Sequence, residues 1–265
     1  MIALVTIDWV VCDLMTIPQQ CLTRGEWQHL AGRDVTLRCW WSPSCGTNGR
    51  RERAVLVLPE VFGVNAWVRS VADRLAAAGV SALAMPLFAR TAPELDLPYD
   101  PESLVQGRTH KERTTAHEIL ADVSTAVAWL RSQGYGQITV VGFCFGGHAA
   151  LLAATLPDVQ SSFDFYGSGI TQGRPGGGAP SLELLAEVDG TLTCVCGTAD
   201  PLIPESEQRQ IAAALKTHDP SGERLRYVPM EGADHGFMCE ARSSYHPTAA
   251  EQGWQLLMNE LLAED

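Results

Sequence analysis

The chain is poor in basic side chains. Its 265 residues contain 19 Lys and Arg against 31 Asp and Glu, so the formal net charge is −12. Nucleic acids and anionic membrane surfaces attract basic patches, and this deficit therefore argues against both as partners. With 46% hydrophobic and 19% charged residues, the composition is that of a globular protein and not of a disordered chain.

Metal-binding and disulfide patterns are also lacking. The eight cysteines are scattered, no C-x-x-C pair occurs, and no Cys/His spacing suits a zinc site. Cys194 and Cys196 alternate along one predicted strand, but no further ligands lie near them in the sequence. We therefore expect reduced thiols in a cytoplasmic protein, most of them acting as small core residues, and neither a metal nor an organic cofactor.

No apolar run is long enough to span a bilayer. Residues 1–12 are apolar, but they fall short of the ~20 residues required, and Asp8 interrupts them. No Lys or Arg precedes Arg24, and no small-residue cleavage site follows. We expect no export. Residues 1–33 are interpreted as an N-terminal extension of unknown role, and residues 34–265 as a single domain, which we expect to be a monomer.

Strands alternate with helices from residue 53 onward. The pattern predicts strands at 35–41, 53–58, 80–84, 138–141, 162–165, 191–196 and 224–228, and helices at 66–78, 111–133, 144–156, 205–215 and 246–262. Residues 91–110 and 171–178 are predicted to be loops. Parallel strands need crossovers of a dozen or more residues, and these helices supply them. The sequence therefore predicts a doubly wound α/β domain whose mostly parallel sheet has helices on both faces.

Residues 142–146, GFCFG, have the form G-x-C-x-G between a predicted strand and a predicted helix. This is the context of a nucleophile elbow, a tight turn that projects its central side chain. A thiolate of Cys144 would be favoured by the positive end of the helix dipole, and the N–H of Phe145 would be one oxyanion donor. The alternative is a glycine-rich turn that contains an inert cysteine.

A thiol nucleophile needs a base, and the base needs a group that orients it. Asp200 lies shortly after the predicted strand 191–196, and His235 lies in a loop after the last predicted strand. The order Cys144, Asp200, His235 is the order of nucleophile, acid and histidine in α/β-hydrolases. Asp200 could instead cap a turn. Tyr166 also follows a strand and is a candidate for the wall of the pocket.

Glu60 lies at the carboxyl end of an early strand, where it would be close to the thiol and could accept its proton. The next N–H, that of Val61, is placed to be the second oxyanion donor. The alternative for Glu60 is a solvated acid in a loop.

Several stretches together resemble one family. They are LPEVFGVNAWVRSVADRLA, LFAR, GFCFGG, FYGSGI, CGTADPLIP and GADHGF. From about residue 35 to its end, the chain resembles the dienelactone hydrolases (carboxymethylenebutenolidases), which have the α/β-hydrolase fold. The resemblance implies hydrolysis of a small lactone or ester, with dienelactone opened to maleylacetate. It also implies that Cys144 forms a thioacyl intermediate, that His235 is base and then acid, that Asp200 orients it, and that Glu60 pairs with the resting thiol.

The resemblance is incomplete where it concerns the substrate. In family members that act on dienelactone, arginines hold the carboxylate of the substrate. Arg90, in LFAR, lies at one expected position, but the second is Cys239 here, with Arg242 three residues further on. A general carboxylesterase or thioesterase therefore remains open. A third alternative is a catalytically silent member that binds a small ligand or senses oxidants through Cys144.

Overall fold

The computed structural model describes residues 25–44 and 52–263. Its strands are β1 (Glu26–Ala31), β2 (Thr36–Ser42), β3 (Arg53–Leu58), β4 (Ser81–Ala84), β5 (Gln137–Phe143), β6 (Ser161–Phe165), β7 (Thr191–Gly197) and β8 (Leu225–Met230). Its helices are α1 (Ala66–Ala77), α2 (Pro101–Glu112), α3 (Ala116–Ser132), α4 (Phe145–Ala153), α5 (Glu205–His218) and α6 (Pro247–Leu262), with a 3-10 helix at Ser181–Glu187.

The strands form one sheet in the order β1-β2-β4-β3-β5-β6-β7-β8. The first two pairings in this order are antiparallel, and every pairing from β4 to β8 is parallel. The prediction of a mostly parallel α/β sheet is thus confirmed. Because the parallel strands run the same way, the loops that follow them meet at one edge of the sheet.

Both faces of the sheet are buried, as β3 shows. Val55 and Val57 belong to one apolar core, which α1 and α6 cover, while Ala54, Leu56 and Leu58 belong to a second core under α3. All five of these side chains are inaccessible to solvent. A strand with no solvated face has no reason to alternate polar and apolar residues, which explains the continuous apolar run.

The segment from residue 91 to residue 133 differs from the prediction. Residues 101–112 form α2, which begins at the N-cap Asp100 with Pro101 in its first turn. The helix predicted from residue 111 starts instead at Ala116, because Thr115 and Glu118 form a capping box that closes the α3 N-terminus.

The predicted domain boundary at residue 34 falls inside a hairpin. Strand β1 pairs with β2 from Glu26↔Trp41 to Ala31↔Thr36, so residues 26–31 are an edge strand of the sheet. The remainder of the predicted extension, residues 1–24, lies outside the described residues. Among the residues described, no helix is long and apolar enough to cross a membrane.

Candidate active site

Cys144 occupies a strained turn between β5 and α4. Its backbone has φ 55° and ψ −117°, a conformation that costs a residue with a side chain on the order of 1–3 kcal/mol. The flanking glycines make the turn possible: a Cβ on Gly142 would lie 1.7 Å from the carbonyl oxygen of Gly146. The N–H of Cys144 donates to the carbonyl oxygen of Phe165 at 3.0 Å, which ties the turn to β6.

The loop after β3 packs directly on this turn. A Cβ on Gly146 would lie 2.2 Å from the carbonyl oxygen of Leu58 and 2.6 Å from that of Pro59, so only glycine permits the approach. This contact brings Glu60 and Val61 beside the start of α4. Within the described residues, neither the N–H of Val61 nor that of Phe145 donates to a backbone carbonyl, so both remain free to bind a ligand.

The loops after β7 and β8 are packed against each other in the same way. A Cβ on Gly197 would lie 2.2 Å from the carbonyl oxygen of Ala233, and that oxygen accepts the N–H of Ala199 at 3.0 Å. The result is a short ion pair: Nδ1 of His235 lies 2.7 Å from Oδ2 of Asp200. Both side chains are buried.

Asp200 is fixed as well as paired. Its Oδ1 accepts the N–H of Leu202 at 2.7 Å, so each carboxylate oxygen has a partner. This arrangement holds His235 with Nδ1 toward the carboxylate and leaves Nε2 pointing away from it.

The charge of Cys144 acts on the His235 ring. Burial disfavours the charged imidazole, but the negative charge of Cys144 and the hydrogen bond with Asp200 outweigh it and raise the pKa of His235 to about 10. The structure therefore brings Cys144, His235 and Asp200, predicted from three separate motifs, into one electrostatically coupled group.

Glu60 reaches the site, but with a different partner from the expected one. Its side chain is fully buried, and Oε1 accepts from Nη1 of Arg242 at 2.7 Å, whereas Oε2 has no partner among the described residues. Burial alone would lower the pKa of Arg242, but the negative charge of Glu60 and the hydrogen bond to it raise that pKa. Glu60 is thus salt-bridged to Arg242 in this structure, and its expected pairing with the resting Cys144 thiol stays a prediction.

Arg90 is not brought to this group. Its guanidinium makes two hydrogen bonds with Asp34 and two with Asp122, at 2.7–3.1 Å, and lies 3.6 Å from Glu118. The hydrogen bonds to Asp122 and Asp34 hold the pKa of Arg90 above its usual value. These carboxylates already satisfy the guanidinium, so Arg90 links parts of the fold, and its contact with substrate stays a prediction.

Tyr166 lies directly against the histidine. It has φ 46°, its side chain is fully buried, and its ring centre is 5.2 Å from that of His235 in an edge-on arrangement. Burial raises the pKa of its phenol well above the usual value. The Tyr166 ring therefore packs against one side of the His235 ring.

Asp164 is a buried acid that sequence reasoning missed. It lies in β6 opposite Gly142 of β5, and its Oδ1 accepts the N–H of Gly167 at 2.7 Å, which secures the turn that carries Tyr166. Burial raises its pKa to about 7, against the effect of that hydrogen bond. The available signal was one carboxylate in the otherwise uncharged strand SSFDF, directly before a strand end.

Replacing Asp164 by Asn is expected to stabilise the fold at pH 8. The folded-state pKa lies above the usual value, so wild-type stability falls as pH rises through that range and is lowest when the carboxylate is ionised. Asn keeps the acceptor for Gly167 but removes the buried charge, which is expected to add about 1–3 kcal/mol to the free energy of unfolding at pH 8 and much less at pH 4.

Urea unfolding at both pH values measures this difference. Asp158→Asn is the matched control, because the Asp158 side chain is 56% exposed and its charge carries no burial penalty. A D164N protein less stable than wild type at pH 8 would contradict the prediction.

Across residues 25–44 and 52–263, no group of three or more His, Cys, Asp and Glu side chains is arranged to hold a metal ion.

The sheet order, the cysteine turn after β5, and the Asp and His that follow β7 and β8 define an α/β-hydrolase. The model of the dienelactone hydrolase family matches residues 44–264, and the chain belongs to that family. It is accordingly a hydrolase that acts on ester or lactone bonds.

Two relatives illustrate the similarity. A protein of Synechocystis sp. named as a carboxymethylenebutenolidase is 37% identical over 204 residues, which cover 76% of this chain and 82% of the relative. A Bradyrhizobium protein named as a 2-oxo-3-(5-oxofuran-2-ylidene)propanoate lactonase is 31% identical over 205 residues, covering 76% of this chain and 79% of the relative.

Solved structures agree on the fold. A Klebsiella pneumoniae protein described as a dienelactone hydrolase superposes with a TM-score of 0.79 at 22% identity, covering 91% of this chain and 98% of that one. A dienelactone hydrolase-like promiscuous phosphotriesterase from metagenomic libraries gives a TM-score of 0.68 at 20% identity, covering 89% and 96%.

Proposed function

We propose that the protein hydrolyses small lactones or esters through a thioacyl intermediate on Cys144. The observation that carries this proposal is the coupling of His235 to both Asp200 and Cys144, with the sulfur on a strained turn at the start of α4. A cysteine that served only the packing would need neither the strain nor a carboxylate-paired histidine.

The first half-reaction forms the thioester. The Cys144 thiolate attacks the carbonyl carbon, and the negative charge moves to the carbonyl oxygen, where the free N–H groups of Phe145 and Val61 stabilise it. The tetrahedral intermediate then breaks its carbon–oxygen bond, and Nε2–H of His235 gives its proton to the departing alkoxide or enolate. In a lactone this step opens the ring, and the leaving oxygen stays attached to the acyl group.

The second half-reaction releases the acid. Neutral His235 takes a proton from water as the oxygen attacks the thioester carbonyl. The carbon–sulfur bond then breaks, which regenerates the thiolate and the protonated histidine. Asp200 keeps its bond to Nδ1 throughout and so stabilises the charged ring in both halves.

Arg242 is the side chain proposed to meet a substrate carboxylate. It is charged, its side chain is 20% exposed, and the charge of Cys144 acts on it. Because it is already paired with Glu60, a substrate carboxylate would have to share or displace that partner. Tyr166 would form the adjoining wall.

A general carboxylesterase or thioesterase is the second candidate, and the engagement of Arg90 by Asp34 and Asp122 favours it. Without that arginine at the site, one of the two groups expected to select a carboxylated lactone is missing. The ratio of kcat/KM for cis- or trans-dienelactone to that for simple aryl esters and thioesters discriminates between the two candidates.

Trapping the acyl enzyme tests the mechanism. Wild-type protein quenched with acid during turnover of an aryl ester is expected to gain the mass of one acyl group, located on the peptide that contains Cys144. A thiol alkylator should block the same residue, and substrate should slow that block. Turnover without any adduct on Cys144, together with full activity after its alkylation, would refute the thioacyl route.

A further inference from the structure

A hollow of about 330 Å³ opens next to the start of α4. Lys111 and Glu112 from the end of α2, Phe145 and His148 from α4, and Gln172 and Arg174 from the loop after β6 contribute to its lining. Phe145 directly follows Cys144 in the chain, so the lining of the hollow includes the residue next to the proposed nucleophile. Nothing in the mechanism above uses it.

Two cations, Lys111 and Arg174, line this hollow. Lys111 Nζ lies 5.6 Å from the centre of the Phe145 ring, and Nε of Arg174 is buried without a hydrogen-bond partner among the described residues. Neither Lys111 nor Arg174 forms a salt bridge with another described residue. Other arginines do have carboxylate partners: Arg69, Arg74, Arg90, Arg131, Arg209, Arg226 and Arg242.

The remaining titratable groups leave the hollow positive. Burial lowers the pKa of His148 to about 4, so this ring is neutral. Both of its nitrogens are occupied, Nε2 at 2.6 Å from Ser181 Oγ and Nδ1 at 3.2 Å from the carbonyl oxygen of Ser168. Glu112 is exposed, and Glu207 of α5, which lies behind the loop, already accepts hydrogen bonds from Thr171 and Gln172.

The loop that presents Arg174 is anchored. The carbonyl oxygen of Pro175 accepts the N–H of Ala116, the first residue of α3, at 2.7 Å. The carbonyl oxygen of Arg174 accepts the N–H of Gly177 at 2.8 Å, and Gly176 has φ 84° against Thr115. The backbone that carries Arg174 is therefore held by a closed turn, and Arg174 and Lys111 both line the hollow. A fixed backbone lowers the entropy cost of binding an anion there.

We propose that this hollow binds the anionic group, a carboxylate or a phosphate, of a small organic molecule. Lys111 and Arg174 would neutralise the anion, and the Phe145 ring would contact the adjoining apolar part. The use of the hollow as a substrate subsite rests on the function proposed above, because it places an anionic extension of the ester beside Cys144. It is separate from Arg242, which lies in the loop after β8.

Direct binding tests the site without turnover. In a Cys144→Ala background, titration calorimetry with glutarate and with inorganic phosphate, at constant ionic strength, is expected to show binding of at least one anion. Changing Lys111 and Arg174 together to Gln should weaken it about tenfold or more, since both positive charges that bind the anion would be lost. Arg108→Gln is the matched control: Arg108 is exposed on α2, outside the lining, and this change should leave the affinity unaltered.

Kinetics then test the use of the site by substrates. The measured quantity is the ratio of kcat/KM for the p-nitrophenyl monoester of glutarate to kcat/KM for p-nitrophenyl butyrate. Relative to wild type, we expect this ratio to fall about tenfold in the Lys111→Gln/Arg174→Gln variant and to stay unchanged in Arg108→Gln. No binding of either anion, or equal binding by both variants, would overturn the anion site. Absence of ester turnover in wild type would instead count against the proposed function, and the calorimetry would still decide on the site.

Discussion

Cys144→Ala is expected to lower kcat for aryl ester hydrolysis by at least about a thousandfold, because loss of a nucleophile that acts with a histidine removes the whole covalent route. Hydrogen-bond donors at Phe145 and Val61 would survive the change, so a residual rate above that in water is expected to remain. The variant should also lose the acyl adduct. Initial rates over a range of substrate concentrations, with the protein shown to be folded by circular dichroism, measure the effect.

A matched cysteine control separates chemistry from packing. Cys39, in β2, is equally replaceable by Ala, and burial raises the pKa of its thiol beyond the range in which it could react. Cys39→Ala should cost some stability but retain the wild-type kcat. If Cys144→Ala kept a tenth or more of the wild-type rate, another group would have to be the nucleophile, and the coupling of Cys144 to His235 would need a different explanation.

Cys144, Asp200 and His235 could be predicted because a local sequence signal marks each of them. Glycines on both sides of Cys144 signal a tight strand-to-helix turn, and Asp200 and His235 each follow an apolar strand. In a parallel sheet such strand ends converge whatever the details of packing, so chain order and strand order were sufficient. Asp164 escaped notice because it lies inside a strand, where its partner, the N–H of Gly167, depends on the turn that follows.

The arginines could not be assigned in this way. Arg90 pairs with carboxylates that are 56 and 32 positions away in the sequence, and Arg242 pairs with one that is 182 positions away. A long, flexible side chain can reach any of several carboxylates, and which one it meets depends on tertiary packing and not on local pattern. Motif position alone predicts that Arg90 contacts the substrate, whereas in the folded protein its guanidinium is paired with Asp34 and Asp122.

Helix α2 shows a similar limit. Of its twelve residues only Ser103 and Gly107 are buried, so no apolar stripe marks it in the sequence. A Cβ on Gly107 would lie 2.2 Å from the carbonyl oxygen of Val61, so α2 rests directly on the loop that bears the proposed oxyanion donor. The N-cap residue Asp100 and the proline after it are the signals for this helix, but they stand in residues 91–110, whose many loop-forming residues favour a loop.

Arg242→Met is expected to have the largest effect on stability, a loss of about 3–5 kcal/mol in the free energy of unfolding at pH 8. Glu60 is fully buried and one of its oxygens already lacks a partner, so removal of Arg242 would leave an uncompensated charge inside the protein. Urea unfolding at pH 8 measures the loss.

Two further variants show whether the buried pair itself is responsible. Glu60→Gln combined with Arg242→Met should recover most of the stability, because replacing both partners leaves no unpaired charge. Arg131→Met is the surface control: Arg131 lies 2.7 Å from Asp158, the same separation as in the buried pair, but both side chains are about half exposed. Its loss should be no more than about 1 kcal/mol. Equal losses for Arg242→Met and Arg131→Met would mean that Glu60 tolerates isolation, and that Arg242 can leave it for a substrate carboxylate at little cost.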